Sequence, residues 1–348
     1  MASIKSLPTE TITHIFSFVH TPFSLEPVSN TRCSSDVRRD FDASLHDLQR
    51  AARVCRHWLD LAQPMLWRYL HVRDSTDAFF LNNSPALGRF HTDQLDLSIW
   101  SDEWDRNTFQ EDFERLLKGM KGLKKLVISG EKWTRTEWLG MESLKDLKVL
   151  NIDVVISGRL HSTPKFQLTA LEVGCRWTHP GFYPLIFESS SHTLTSLKVD
   201  ASRGSRNHAT LRAALPLVPN TLRSLEIVGE LQGLGAILPI LNTLTHVRFT
   251  PSSYGDQLIS FLSAAFQSLP SCTTVVTVRL PLESFDFRRV VESLIRSEDG
   301  WERLTNLEVE HRRIDDHLAS ESYRLFARWA ELEEICAEKG VTIIKLEV

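Results

Sequence analysis

One six-residue pattern constrains this chain more than any other feature: an apolar residue, two variable ones, an apolar residue, one variable residue and a last apolar one. From residue 90 onward it recurs as "LKKLVI" at Leu123, "LKVLNI" at Leu147, "LTALEV" at Leu168, "LTSLKV" at Leu194, "LRSLEI" at Leu222, "LTHVRF" at Leu244 and "LTNLEV" at Leu304. Weaker copies are "VVTVRL" at Val275 and "VTIIKL" at Val341, and "LDL" at Leu95 reads as a first strand. A unit this short cannot bury its own apolar side, so the copies must stack and share one continuous core. Each copy therefore predicts a short strand with its last two apolar residues pointing inward, followed by a turn and a return segment that closes one coil.

Several return segments carry an apolar stripe at helical spacing, among them "RNTFQEDFERLLKGM", "YGDQLISFLSAAFQSL", "FRRVVESLIRS" and "ESYRLFARWAELEEICAEKG". Strand, helical return and strand in alternation give an α/β chain with a parallel sheet. Residues 73–348 resemble a leucine-rich-repeat solenoid, at an irregular spacing of roughly 21 to 37 residues. One family feature is absent. The asparagine expected three residues after the last apolar strand position is replaced, for example by Glu131, Val155, Arg176, Ser202 and Glu230, so an uneven, irregular solenoid is expected.

If the strands stack in register, the variable residue between the two core positions faces the concave side. Along the array these residues are Val127, Asn151, Glu172, Lys198, Glu226, Arg248, Arg279, Glu308 and Lys345. From Glu172 onward the signs nearly alternate, which fits lateral pairing of opposite charges across strands about 4.8 Å apart. The row reads either as a salt-bridge ladder or as a set of recognition groups for a protein target, with Lys198, Glu226, Arg248, Arg279 and Glu308 as candidate contacts. Arg248 and Arg279 follow one another in this order, and two adjacent like charges mark the first place to look for a ligand carboxylate or phosphate. A row that neutralises itself does not generate the one-sign field that nonspecific nucleic-acid binding requires.

The first seventy residues have a different period. Leu7, Thr11, Ile12, Ile15, Phe16 and Val19 lie on one helical face entered through Pro8, and residues 21–43 form a polar insertion without sustained periodicity. Leu45, Leu48, Ala52, Cys55 and Leu59 then predict one stripe of a second helix, and Pro64 predicts the start of a third. Cys55 and His57 raise the question of a nucleophile with its base. Residues two apart on a helix point about 200° apart, so a continuous helix keeps them from meeting over one substrate atom. Cys55 then reads as a small core residue and His57 as a solvated one.

The succession Leu7-Pro8-Thr9-Glu10, the Ile12 and Ile15 face, Leu48, Val54-Cys55-Arg56-His57-Trp58 and Leu66-Trp67 resembles a divergent F-box of the type common in fungi. That resemblance implies a three-helix F-box-like domain over residues 1–72, ahead of the solenoid. It implies that Leu7, Pro8, Ile12, Ile15, Leu48, Val54, Cys55 and Trp67 dock a Skp-family adaptor, and through it a cullin ubiquitin ligase, and that Trp58 knits the helices together. The insertion at 21–43 departs from the short connection usual in the family. The alternative is a helical cap, because the first coil of a solenoid must cover an apolar end.

The remaining features exclude more than they add. The net charge is -4 and the basic residues are dispersed, which argues against nucleic acid as partner. Five scattered cysteines without a C-x-x-C pair fit a reducing, intracellular setting, and no run of 18 apolar residues predicts a membrane span. "GCRWTHPGF" around Trp177 and "EHRRIDDH" around His311 to His317 read as loops, without a recognised metal spacing. No phosphate loop, G-x-S-x-G or H-E-x-x-H is present, so the expectation is a binding protein with no catalytic residues, metal or cofactor.

Overall fold

The computed structural model describes residues 9, 11, 49–50, 52–99, 106–158, 163–174, 181–202, 205–218, 220–229, 231, 233–251, 255–280, 300–311, 329–330 and 332–347. The chain forms two compact units: Met1–Val154 with Pro164–Gln167, and Val155–Thr163 with Leu168–Val348. Leu7, Pro8, Ile12, Ile15 and Leu48, the 21–43 insertion, Trp177, His317 and the return "FRRVVESLIRS" all lie outside the described residues.

In the first unit, helix α1 (Arg56–Arg68) runs directly into strand β1 (Tyr69–Val72), and helix α2 (Ser75–Asn82), strand β2 (Gln94–Ile99), helix α3 (Arg106–Gly119), strand β3 (Lys125–Arg135) and strand β4 (Val149–Ser157) follow. These strands neighbour one another in chain order. Pairing is parallel, with Leu70 opposite Leu95 and Leu95 opposite Leu126. The second unit contains β5 (Ala170–Val173), α4 (Phe182–Ser189), β6 (Ser196–Asp200), α5 (Ser205–Ala214), β7 (Ser224–Val228), β8 (His246–Thr250), α6 (Gly255–Gln267), β9 (Val275–Leu280), β10 (Asn306–His311) and β11 (Thr342–Glu347), again in chain order. The pairings from β5 to β11 are parallel too. One parallel strand per six-residue copy, each followed by a return, is the leucine-rich-repeat type of coil that the spacing predicts.

The pattern explains the burial. All three apolar positions of each strong copy are in the core, as in Leu194, Leu197 and Val199 or Leu222, Leu225 and Ile227. Aromatic side chains fill the wider spaces under the sheet: Phe113 packs edge-on against Trp138 at 5.5 Å, and Phe266 against Trp301 at 5.1 Å. Predicted returns are helical at α3 and α6 and again over 332–338. Among the described residues, the short return between β7 and β8 is made of tight 3-10 turns, Leu234–Ala236 and Leu238–Ile240.

Two hydrogen-bond ladders tie successive copies together at the entry to the strands. At the start of β2, β3, β5, β6, β7 and β8, one carbonyl accepts two N–H groups from the next copy. Asp93 accepts from Lys124 and Lys125, Thr195 from Arg223 and Ser224, Arg223 from Thr245 and His246, and Thr245 from Thr274 and Val275. Threonine hydroxyls repeat the link. Thr193 Oγ1 donates to the Leu168 carbonyl at 2.8 Å, Thr243 Oγ1 to Leu222 at 2.9 Å and Thr273 Oγ1 to Leu244 at 2.9 Å. At the far end of the strands Gly229 has φ +82°, and a Cβ there would stand 2.5 Å from the Ser202 backbone nitrogen. Only glycine permits that approach.

The helical reading around Cys55 needs correction. Arg53 and Val54 form a turn, and Cys55 is extended (φ -163°, ψ 168°) as the residue capping α1. No single helix carries the stripe from residue 45 to 62, and the argument that a continuous helix separates Cys55 from His57 does not apply. Pro64 lies inside α1 and does not begin a new helix. Its position is exposed, where loss of one backbone bond is least costly. The buried face of α1 is instead Ala62, with Ala52, Trp58, Leu61, Met65 and Leu66 packed about it.

The threonine ladder predicts that Thr243→Val lowers stability by roughly 0.5–1.5 kcal/mol in urea unfolding, since it leaves the Leu222 carbonyl short of a donor. The longer, exposed contact of Thr274 Oγ1 to Thr245 at 3.4 Å predicts a smaller loss for Thr274→Val.

Candidate functional site

The sheet face turned away from the core in the second unit carries most of the sequence-predicted target contacts. Alternation along each strand puts Leu197 and Val199 inward and Lys198 outward, and the same holds for Glu226 on β7 and Arg248 on β8. Register sets Glu172, Lys198, Glu226 and Arg248 side by side. Lys198 Nζ lies 2.8 Å from Glu172 Oε1 and 3.6 Å from Glu226 Oε1. Burial alone would lower the Lys198 pKa, but the two flanking carboxylates outweigh it and hold the ammonium above its ordinary range. The first part of the row is thus an internal charge ladder.

The order changes at β9. Opposite Arg248 stands Thr277, and Arg279 is opposite Glu308 on β10. The adjacent Arg248–Arg279 pair expected from the sequence is therefore not formed. The cause is a displaced repeat copy: on the β8 side the core positions of β9 are Thr273, Val276 and Val278, not Val275, Val278 and Leu280. Thr273, 9% exposed, takes the first leucine position and bonds Leu244. On its other side β9 pairs two residues further along, Leu307 facing Val278. Thr305 confirms the slip by exchanging hydrogen bonds with Val276.

This slip gives Glu308 two arginine neighbours. Its carboxylate, 5% exposed, accepts a hydrogen bond from Arg248 Nη2 across β9, while Arg279 is its register partner. Arg248 Nε and Thr250 Oγ1, two residues apart on β8 and on the same face, are buried without a hydrogen-bond partner. Lys345, expected on the same row, is opposite Val309 and hence on the core side of the edge strand. It lies over the Trp329 ring at 4.4 Å and 3.4 Å from Glu333, and Ile344 takes the place beside Glu308.

In the first unit the structure describes Val54, Cys55 and Trp67 of the sequence-predicted adaptor contacts. Val54 is 55% exposed, as is Leu59 at 36%, while Trp67 is half-buried with its ring 6.4 Å from Phe90. The connection from α1 to the sheet rests on Asp93, which the sequence reading did not single out. Arg68 Nε donates to Asp93 Oδ2 at 2.7 Å, Lys124 Nζ is 2.8 Å from Oδ1, and His91 Nε2 is 3.6 Å away. Burial on its own would raise the Asp93 pKa, but Lys124 and Arg68 hold it below the usual carboxylate value. The available signal was positional: Asp93 occupies, one copy earlier, the place of Lys124.

Other candidates recede. Cys336 is fully buried and burial pushes its thiol up to about 11, which makes it an inert core residue. Among the described residues no cluster of His, Cys, Asp and Glu is placed to hold a metal, and no helix is long and apolar enough to cross a membrane.

No protein-family model matches the sequence, and neither does any curated protein. Among solved structures, the chain is similar to the leucine-rich repeat-containing protein LegL7 from Legionella pneumophila, at 15% identity over 80% of this chain and 90% of that one, with a TM-score of 0.45.

Two predictions concern these charges. Because the native Asp93 pKa is depressed, its stabilisation is present above about pH 4 and is lost as pH falls through the lower native value. Asp93→Asn should cost roughly 1.5–3 kcal/mol at neutral pH and flatten the acid limb of a plot of urea midpoint against pH. Glu308→Gln, which leaves a part-buried Arg248 uncompensated, should cost on the order of 2 kcal/mol. Lys198→Met, at a site 39% exposed, should cost about 1 kcal/mol or less in the same assay.

Proposed function

We propose that this chain is a substrate-recognition subunit of a cullin-type ubiquitin ligase. The N-terminal helices dock a Skp-family adaptor, and the open face of the repeats holds a protein target. The observation that carries the reading is the exposed apolar surface at the Val54-Cys55-Arg56-His57-Trp58 motif. Val54 and Leu59 stay open to solvent, whereas most large apolar residues of the repeat returns, such as Leu116, Leu117 and Phe266, are fully buried, with Leu217 and Ile240 as isolated exceptions. Clustered exposed apolar residues mark a partner site. Phe79 and Phe80 on α2, in the same unit, are 59% and 66% exposed as well.

On this reading the protein performs no bond chemistry. It brings a target lysine near a charged conjugating enzyme, and the raised effective concentration accelerates transfer. A second reading, a non-ligase scaffold with a helical cap, draws support from Asp93, whose ties to Arg68 and Lys124 join α1 to the first strands as a cap requires.

Co-purification of the full chain with a Skp-family adaptor separates the two. The ligase reading expects a stoichiometric complex, weakened at least about tenfold by Val54→Asp with Leu59→Asp, while circular dichroism and urea midpoint stay near wild type. Folded wild-type protein that captures no adaptor would reject that reading and leave the scaffold.

A further inference from the structure

Lysines that look dispersed along the chain are gathered by the coil into one place. In the first unit, the residues leading into each strand form a rim along the entry side of the sheet: Arg68 before β1, 88–93 before β2, 118–124 before β3 and 141–148 before β4, with 164–167 continuing it. Backbone bonds set neighbouring segments side by side, as where Thr92 N–H donates to the Lys121 carbonyl and Lys148 N–H to that of Lys124. Arg89 and three lysines, Lys118, Lys121 and Lys124, lie in the segments before β2 and β3. Lys145, Lys148 and Lys165 follow. With Arg68 they make eight cations, against Asp93, Glu142 and Asp146, and Glu114, which reaches Lys118 from within α3, brings the acids to four. The corresponding segments before β6 to β9, residues 190–195, 218–223, 241–245 and 268–274, contain Arg223 as their single Lys, Arg, Asp or Glu. Where Thr195, Thr245 and Thr274 stand there, the first unit has Lys124 and Lys148.

The rim stays positive after its own ion pairs are made. Lys124 and Arg68 hold Asp93, Lys165 holds Glu142, and Lys118 lies 3.7 Å from Glu114. Lys148 Nζ is 3.5 Å from the Gln167 carbonyl, a contact that cancels no charge. Eight cations against four acids, Asp146 included, leave a surplus of four. The nearest charges on the open face, Lys125 on β3 and Asp96 on β2, offset one another and do not alter it. Nor are the ammonium groups sealed off. Lys118, Lys121, Lys145, Lys148 and Lys165 are exposed, and Lys124 keeps 45% of its side chain in solvent. Like charges held together repel, and a partner of opposite sign relieves that repulsion.

We propose that this rim binds an acidic polypeptide segment. From Arg68 to Lys148 it crosses three strand spacings, about 14 Å. An extended chain covers that distance in about four residues at roughly 3.3 Å each, so one short run of Asp and Glu spans it. Arg68 is spent on Asp93 and Arg89 lies over the Phe90 ring at 5.3 Å. The groups left to a partner are therefore lysine ammoniums, point charges that lack the fork shaped for phosphate. Bases find no platform for stacking, since Phe166 is buried and Phe90 is half-buried beneath Arg89. Among the described residues, none of the exposed large apolar side chains falls in the rim, so it has nothing to insert into a lipid interface. Val54 and Leu59 lie outside the rim, and this binding does not depend on adaptor docking.

The test uses the full-length protein and a fluorescein-labelled synthetic peptide with a central run of Asp and Glu in a Gly/Ser background. Beside it stand an uncharged peptide, one with half of the acids replaced by Lys, vesicles of phosphatidylcholine with phosphatidylserine, and a single-stranded DNA oligonucleotide. The acidic peptide should bind at least about tenfold tighter than either control peptide and lose affinity as salt is added. Lys121→Glu with Lys145→Glu should weaken it at least about tenfold. The urea midpoint should stay near wild type, because both side chains are exposed and neither belongs to the ion pairs above. Arg223→Glu, a reversal at an exposed site of the second unit, should leave the affinity within about twofold, which separates the rim from net charge. Equal binding of the control peptides, absence of binding by the acidic peptide, or unchanged affinity in the Lys121→Glu, Lys145→Glu protein would each overturn the proposal. So would a loss in the Arg223→Glu protein as large as in the rim variant, or tighter binding of the vesicles or the oligonucleotide than of the peptide.

Discussion

The hydrogen bonds at the start of each strand are the constraint on which the rest of this chain depends. A parallel sheet with one strand per coil gains nothing from local hairpin contacts, since every strand partner is a full coil away in sequence. Here one carbonyl in most copies, such as Thr195 or Arg223, accepts two N–H groups from the next, and threonine hydroxyls reinforce the link. That fork fixes which residue stands opposite which. Once it is set, Leu197 must lie beside Leu225 and Lys198 beside Glu226, so core and charged face are settled together.

Much of this was legible from residue types alone, because the six-residue copies carry the inward pattern directly. The leucines at 123, 147, 168, 194, 222, 244 and 304 are buried as the pattern requires, and the returns at 106–119 and 255–267 are helices with one apolar face. The sequence pattern misled where a polar residue took an apolar place. Thr273 fills a leucine position by donating its hydroxyl to a carbonyl of the preceding copy, so a search for apolar residues slid two positions to Val275 and brought Arg279 into the wrong row. The T-L-T triplets at 193–195 and 243–245 would have corrected it, because "CTT" at 272–274 continues the same hydroxyl ladder.

Different physics hid the features near α1. A helix break at Arg53–Val54 leaves apolar spacing almost unchanged, so periodicity across residues 45–62 read as one helix although Cys55 is extended. The importance of Asp93 was invisible for a related reason. A buried carboxylate is tolerable only with partners, and those partners come from α1 and from the following copy, positions that no local window joins.

The slip between β9 and β10 does more than disturb the repeat. With unbroken register, Glu308 would have stood in the row of Arg248 and Thr277, and the alternation of signs begun by Glu172, Lys198 and Glu226 would have run on. Displacement by two residues instead pairs Glu308 in register with Arg279 while its carboxylate takes the Arg248 guanidinium across β9. A ladder in perfect alternation satisfies itself and offers a partner little to read. The displaced strand changes which side chains meet at the end of that ladder at no cost to the leucine core, because Leu307 and Val309 meet Val278 and Leu280 as well as they would have met Val276 and Val278. Even steps of two preserve which face a side chain takes while changing its neighbours, which lets charge pattern vary on a repeat sheet whose inward side is held fixed.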